Sequence, residues 1–303
     1  MKRSVALIPW MCALMFLIFA TAAQAKVEPL VSTKWVADNL AKIQNVDQTD
    51  IRLLEVSVKG YENGHIPGAV FFNWKADAFS PNTDHMVHNV AEIERVLRKY
   101  GLTNNTHIIL YDGDNNHPQH LARIYWTLKY WNFDNISMMD GNKALWQAEG
   151  RPMSTETPKI VSRDIEVAYP PNTKIRAQLS PDVTFALAAG GVLIVDNRPA
   201  EFFNGEKYFI DKWVRSGHIP GAINADTILT LTKSKIFLPK DELKKFYESR
   251  GITPDKKIIV YCDTGALAAH GWFALTELLG YPMVKMYDGS MREWANRFDT
   301  PME

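Results

Sequence analysis

The chain has 303 residues, enough for two medium domains, with 34 basic and 34 acidic residues and a formal net charge of zero. That balance argues against nucleic acid or an anionic membrane surface as the main partner. Only two cysteines are present, too few for a disulfide-stapled scaffold.

Residues 1–25 read as a secretory leader. Met1-Lys2-Arg3 is basic, Val5 to Ala20 is apolar around Pro9, and Ala23-Gln24-Ala25 has a small-x-small cleavage pattern. The alternative is a retained anchor, but the apolar run falls short of the roughly 20 residues that a spanning helix needs. Cys12 lies in mid-run after Trp10-Met11, so it is not placed for lipidation. The expectation is an exported chain, in a bacterial periplasm, with no membrane attachment after cleavage; a eukaryotic secretory origin stays open. Cleavage removes Lys2, Arg3 and Cys12 and leaves Cys262 as the one thiol. A lone thiol sent to an oxidising compartment is a liability unless it is used.

The rest of the chain repeats itself. Leu53-Leu54-Glu55-Val56, Gly64-His65-Ile66-Pro67-Gly68-Ala69, Ile108-Ile109-Leu110-Tyr111-Asp112 and Asp140-Gly141-Asn142 occur in that order. They return as Ile194-Val195-Asp196, Gly217-His218-Ile219-Pro220-Gly221-Ala222, Ile258-Ile259-Val260-Tyr261-Cys262 and Asp288-Gly289-Ser290. Two copies of one α/β domain are expected, over 26–150 and 179–303. The proline-bearing stretch 151–178 joins them along the surface.

In the second copy, Ser180 to Ala189 reads as a helix with Ser180 as cap and Pro181 in first position. Val192 to Val195 reads as a strand and Lys240 to Arg250 as an amphipathic helix stopped by Gly251. Ile258 to Tyr261 is a strand, Ala266 to Leu279 a helix stopped by Gly280, and Met283 to Tyr287 a strand. Strands alternating with helices predict a mainly parallel sheet covered on both faces. Cys262 then stands at a strand end, facing backbone N–H groups and the positive end of a helix, both of which favour a thiolate.

The paired Gly-His-Ile-Pro-Gly-Ala motifs, the strand–Cys–loop–helix and the late Asp-Gly-Ser-Met-Arg-Glu-Trp resemble a tandem-domain rhodanese, over nearly all of residues 30–303. That family includes thiosulfate and 3-mercaptopyruvate sulfurtransferases. The resemblance implies that Cys262 is catalytic and that Asp112 marks an inactive first domain. It implies a double displacement in which Cys262 takes a sulfane sulfur as a persulfide and passes it to a thiol, a protein thiol or cyanide. No metal or organic cofactor is implied. The loop Asp263, Thr264, Gly265, Ala266 and Leu267 would surround the anionic sulfur with N–H donors. Asp263 is expected to face solvent or to cap the following helix.

By the same resemblance, Arg198 would hold the anionic end of the donor, and His85 matches a histidine brought to the domain interface, with Lys75 where its acidic partner is expected. Both donors stay open. Glu201-Phe202-Phe203 lacks the second arginine of mercaptopyruvate enzymes, and no cation follows Cys262 before Ala268, as thiosulfate enzymes favour. A persulfide carrier with little turnover on small donors is the competing reading. Asp112, Asp114, His117 and His120 lack zinc spacing. Ala268, six positions after the cysteine, removes the arginine that a Cys-x5-Arg phosphatase needs.

Overall fold

The computed structural model describes residues 27–48, 50–114, 117–209 and 214–303. The leader expected over 1–25 lies outside them. Among the described residues, no helix is long and apolar enough to cross a membrane.

Ten strands among the described residues make two five-stranded parallel sheets. In the first, β1 (Leu30–Ser32), β2 (Ile51–Ser57), β3 (Val70–Asn73), β4 (His107–Asp112) and β5 (Ile136–Asn142) lie in the order β1-β5-β4-β2-β3. In the second, β6 (Arg176–Ala177), β7 (Val192–Asp196), β8 (Ile223–Asn224), β9 (Lys257–Tyr261) and β10 (Val284–Tyr287) lie in the order β6-β10-β9-β7-β8. The second order is the first with every strand advanced by five, so the sequence repeat is a repeat of topology. Parallel strands need crossover connections, and helices on both faces bury the central ones. All seven residues of β2 are buried, which forces Glu55 into an ion pair with Lys143 (2.8 Å).

Ser180 is extended, as a residue at a helix start is, and helical backbone follows it; no capping bond from its side chain forms, Asp182 Oδ2 accepts the Gln178 N–H (2.9 Å), the first turn is wide, and regular α-helix covers Thr184–Ala189. The expected Lys240 to Arg250 helix covers Lys240–Glu248. The last long helix is α-helical over Ala266–Phe273 and widens over Ala274–Leu278 before Gly280 turns the chain at φ +76°.

Residues 151–175 are strapped to the first domain. Ser154 pairs with His65 through two backbone bonds of 2.9 Å, and Ile165 and Val167 are buried. Arg176 and Ala177, within the stretch read as the connection, supply the edge strand β6.

The two domains share one apolar cluster, running from Leu54 and Trp126 to Val260 and Trp272. At its centre helix Pro118–Tyr130 packs on helix Ala266–Phe273, with Tyr125 edge-on to Phe273 at 4.8 Å. The second helix is apolar apart from His270, whose Nε2 lies 3.0 Å from Thr230 Oγ1, as suits a helix enclosed by its own sheet and a neighbouring domain.

Candidate active site

β9 ends at Tyr261, and Cys262 follows with only 1% of its surface exposed. Gly265 has φ +88°, a left-handed conformation that turns the chain back into the helix starting at Ala266. The turn aims three backbone N–H groups at the sulfur: those of Thr264, Gly265 and Ala268. The Gly265 nitrogen is 3.1 Å from Sγ. Burial, and then the Asp263 carboxylate, push the thiol up to about 11, while the three N–H groups pull the other way. Desolvation thus outweighs the N–H donors and moves the thiol in the opposite direction to that expected from the strand end and helix terminus alone.

The Asp-Gly-Ser motif holds the loop from behind. Ser290, at φ +52°, accepts the Cys262 N–H on Oγ (3.2 Å) and donates to the Tyr287 carbonyl (2.9 Å). The N–H groups of Met291 and Arg292 donate to the carbonyls of Cys262 and Asp263, each at 3.0 Å. In the first domain the same turn holds a carboxylate: Asp112 accepts the N–H groups of Asp114 (2.9 Å) and His117 (2.8 Å). Both copies thus wrap backbone donors around one side chain at the end of the central strand.

A cavity of about 250 Å³ opens in front of Cys262. Asp263, Thr264, Ala266 and Leu267 form its floor, and the first domain supplies Trp74, Phe79, His85, Gln119 and His120 as its wall. His85, with φ +59°, reaches the cavity as the resemblance implies; its Nδ1 lies 3.1 Å from Asp84 Oδ1, so Asp84 stands beside it rather than an acid at position 75. His120 stacks on Trp74 with ring centres 3.7 Å apart, and burial with His117 lowers its imidazole to about 3. It is neutral at any physiological pH. Sequence reasoning met His120 only in a cluster without metal spacing, and missed Trp74, Phe79 and Gln119. The available signal was the position of Trp74 right after β3, where an α/β crossover leaves the sheet. Among the described residues, no group of three or more His, Cys, Asp or Glu is placed to hold a metal.

Two expectations are revised by position. Arg198 does not line the cavity. It is 1% exposed, with Nε 3.0 Å from both Asp196 oxygens and Nη2 2.5 Å from Oδ2 and 2.8 Å from the Gly217 carbonyl. Its Nη1 is 3.8 Å from Asp263 Oδ1, so it lies beneath the loop. Asp263 does not face only solvent, because its Oδ1 turns toward Arg198. The other arginines around the loop are also matched by carboxylates: Arg123 by Asp288 (2.6 Å) and Arg292 by Asp84. Among the described residues, no lysine or arginine lines the cavity.

A family model described as a rhodanese-like domain matches residues 32–149 and again 182–297. The chain is 34% identical over 287 residues to "Sulfur carrier protein TtuD" of Thermus thermophilus, spanning 92% of this chain and 97% of that protein. It is 36% identical over 280 residues to a Haloferax volcanii protein named "Putative thiosulfate sulfurtransferase", spanning 90% and 96%. Among solved structures, an anaerobic ergothioneine biosynthesis enzyme from Chlorobium limicola, in complex with trimethyl histidine, aligns with a TM-score of 0.78. That alignment covers 91% of this chain and 70% of that one at 23% identity, a likeness of fold alone.

Proposed function

The chain belongs to the rhodanese family, with two rhodanese-like domains in tandem, and on that premise we propose that it moves sulfane sulfur through a persulfide on Cys262. The observation that carries this reading is the convergence of three N–H groups on Sγ beneath an open cavity. Sulfurtransferase and sulfur-carrier names are borne by relatives over about nine-tenths of the chain.

The donor is thiosulfate or 3-mercaptopyruvate. The Cys262 thiol loses its proton to water, and the thiolate attacks the donor's terminal sulfur. With thiosulfate the S–S bond breaks and sulfite leaves with the electron pair. With mercaptopyruvate the C–S bond breaks, and the enolate left behind takes a proton to become pyruvate. The persulfide's outer sulfur carries the charge into the cavity, where the Thr264, Gly265 and Ala268 donors stabilise it better than they stabilise a single buried atom. A thiol or cyanide then attacks that outer sulfur, and Cys262 leaves as the thiolate. His85 and Thr264 border the path of donor and acceptor, and Arg198 acts through Asp263 and the loop.

A second reading is favoured by the lining itself. Among the described residues a dianion such as thiosulfate meets no lysine or arginine there, which suits a persulfide carrier with little turnover on small donors. Steady-state assays with both donors, using cyanide and a dithiol as acceptors, separate the two readings. Turnover with either donor supports the enzyme; a stable persulfide without turnover supports the carrier. Intact mass after donor treatment should show one added sulfur atom, absent in Cys262→Ser, and no adduct with any donor would overturn both. We further propose that residues 1–25 are removed on export to a periplasm; a mature N-terminus at Lys26 is the expected result of N-terminal sequencing.

A further inference from the structure

The first domain lacks a cysteine, yet it places a buried arginine against the back of the Cys262 loop. Arg123, on helix Pro118–Tyr130, is fully buried. Its Nη1 is 2.6 Å from Asp288 Oδ1, and a Cβ added to Gly265 would come within 2.6 Å of the same nitrogen. Its Nη2 donates to the His85 carbonyl at 3.5 Å. The rings of Phe79 and Trp126 hold the guanidinium at 4.9 and 5.1 Å. One side chain thus touches the loop that carries the sulfur, the segment that brings His85 and Phe79 to the cavity, and the Asp-Gly-Ser motif. Beyond Asp288, Ser290 and the next two N–H groups bind the backbone of Cys262 and Asp263.

We propose that Arg123 is a positioning residue for the chemistry of Cys262: through Asp288 and the His85 carbonyl it fixes the loop and the opposing cavity wall in register. The silent domain then contributes to catalysis through this contact as well as through the wall. Only a forked cation meets the demand, because two acceptors on different segments must be held at once in a dry site. The persulfide arm below rests on the sulfur-transfer reading; the alkylation arm does not.

The test compares the full chain with Arg123→Met and Arg123→Lys. Met keeps an apolar stem against Phe79 and Trp126, and Lys keeps one bond of the two. Three measurements are made: melting temperature, the rate of Cys262 alkylation by iodoacetamide between pH 7 and 10, and persulfide formation at saturating donor. The charged and titratable groups facing the loop from all sides are Asp263, Arg198, Asp288, Arg176, Arg292 with Asp84, His85 and His120, and none is altered. With the N–H donors out of register, Arg123→Met should alkylate about tenfold more slowly at pH 8 than the wild type, as expected for a rise of about one unit in thiol pKa. Persulfide formation should fall by a similar factor with KM nearly unchanged, because Arg123 does not line the cavity. Arg123→Lys should recover part of both.

A mere fastener predicts the opposite alkylation result, since loosening the domains exposes a buried thiol and speeds its reaction. Alkylation equal to or faster than wild type in both variants overturns the proposal. If Arg123→Met does not fold, Arg123→Lys decides by the same rate. Slow alkylation in the variants together with no persulfide on the wild type from any donor would retain the positioning role and reject sulfur transfer.

Discussion

The Cys262 sulfur is enclosed by its own backbone, and its ionisation is subject to two opposed influences. Burial is the larger and raises the pKa; the N–H groups of Thr264, Gly265 and Ala268 lower it; Asp263 adds to burial. The net value of about 11 means that the thiolate fraction rises about tenfold per pH unit through the neutral range. The alkylation rate of the empty protein should follow that slope and level off only above pH 10. Removing the Asp263 charge without changing its shape relieves one of the two raising causes. Asp263→Asn should therefore alkylate about three- to tenfold faster at pH 8, read by thiol trapping. An unchanged rate would mean that the Arg198 guanidinium already cancels the carboxylate's field at the sulfur.

At the scale of elements, the position of helix Ala266–Phe273 relative to the sulfur depends on its close approach to the turn after β7. Gly271 is what permits this: a Cβ there would collide with Oδ1 of buried Asn197, in the turn after β7. Asn197 is in turn held by the Tyr261 carbonyl (2.8 Å) and the Ala225 carbonyl (2.9 Å), so it cannot easily move away. Gly271→Ala should destabilise the protein by about 1–3 kcal/mol by chemical denaturation, the usual cost of overpacking. It should also slow persulfide formation, because lifting the helix withdraws the Ala268 N–H. Unchanged stability would show that the Asn197 turn can yield.

For the whole molecule, the two domains grip each other reciprocally. Asp140 of the first accepts the Phe237 N–H (3.0 Å) of the second, and Asp288 of the second accepts the Val87 N–H (2.9 Å) of the first. These aspartates are the same residue of the repeated Asp-Gly motif, so the interface has an approximate two-fold character. The pair is not equal in charge: Asp288 also holds Arg123 at 2.6 Å and Arg176 at 3.2 Å. Asp288→Ala leaves a buried arginine unmatched and should cost about 3–5 kcal/mol. Asp140→Ala leaves one buried N–H unmet and should cost about 1–3 kcal/mol. Denaturation of both variants checks the ranking, and equal losses would show that Arg123 finds another partner.

Repetition, strand–helix alternation and the position of Cys262 were legible in the residues alone. They depend on local spacing and on burial patterns that a parallel sheet imposes on its own strands. The difference between the two copies was legible too, since Asp112 stands where Cys262 stands. The depth of the sulfur's burial and the charge of its surroundings were not. Burial is a property of everything packed around an atom, and here the two domains do that packing together. Arg198 reads as an exposed anion binder until Asp196 is seen to occupy it, and Trp74 and His120 lie more than 140 positions from the cysteine they face. Sequence alone determined that a cysteine ends the central strand of the second domain; only the tertiary structure decided how deeply its sulfur is buried and which charges surround it, because desolvation and ion pairing depend on distances between segments that the chain order does not encode.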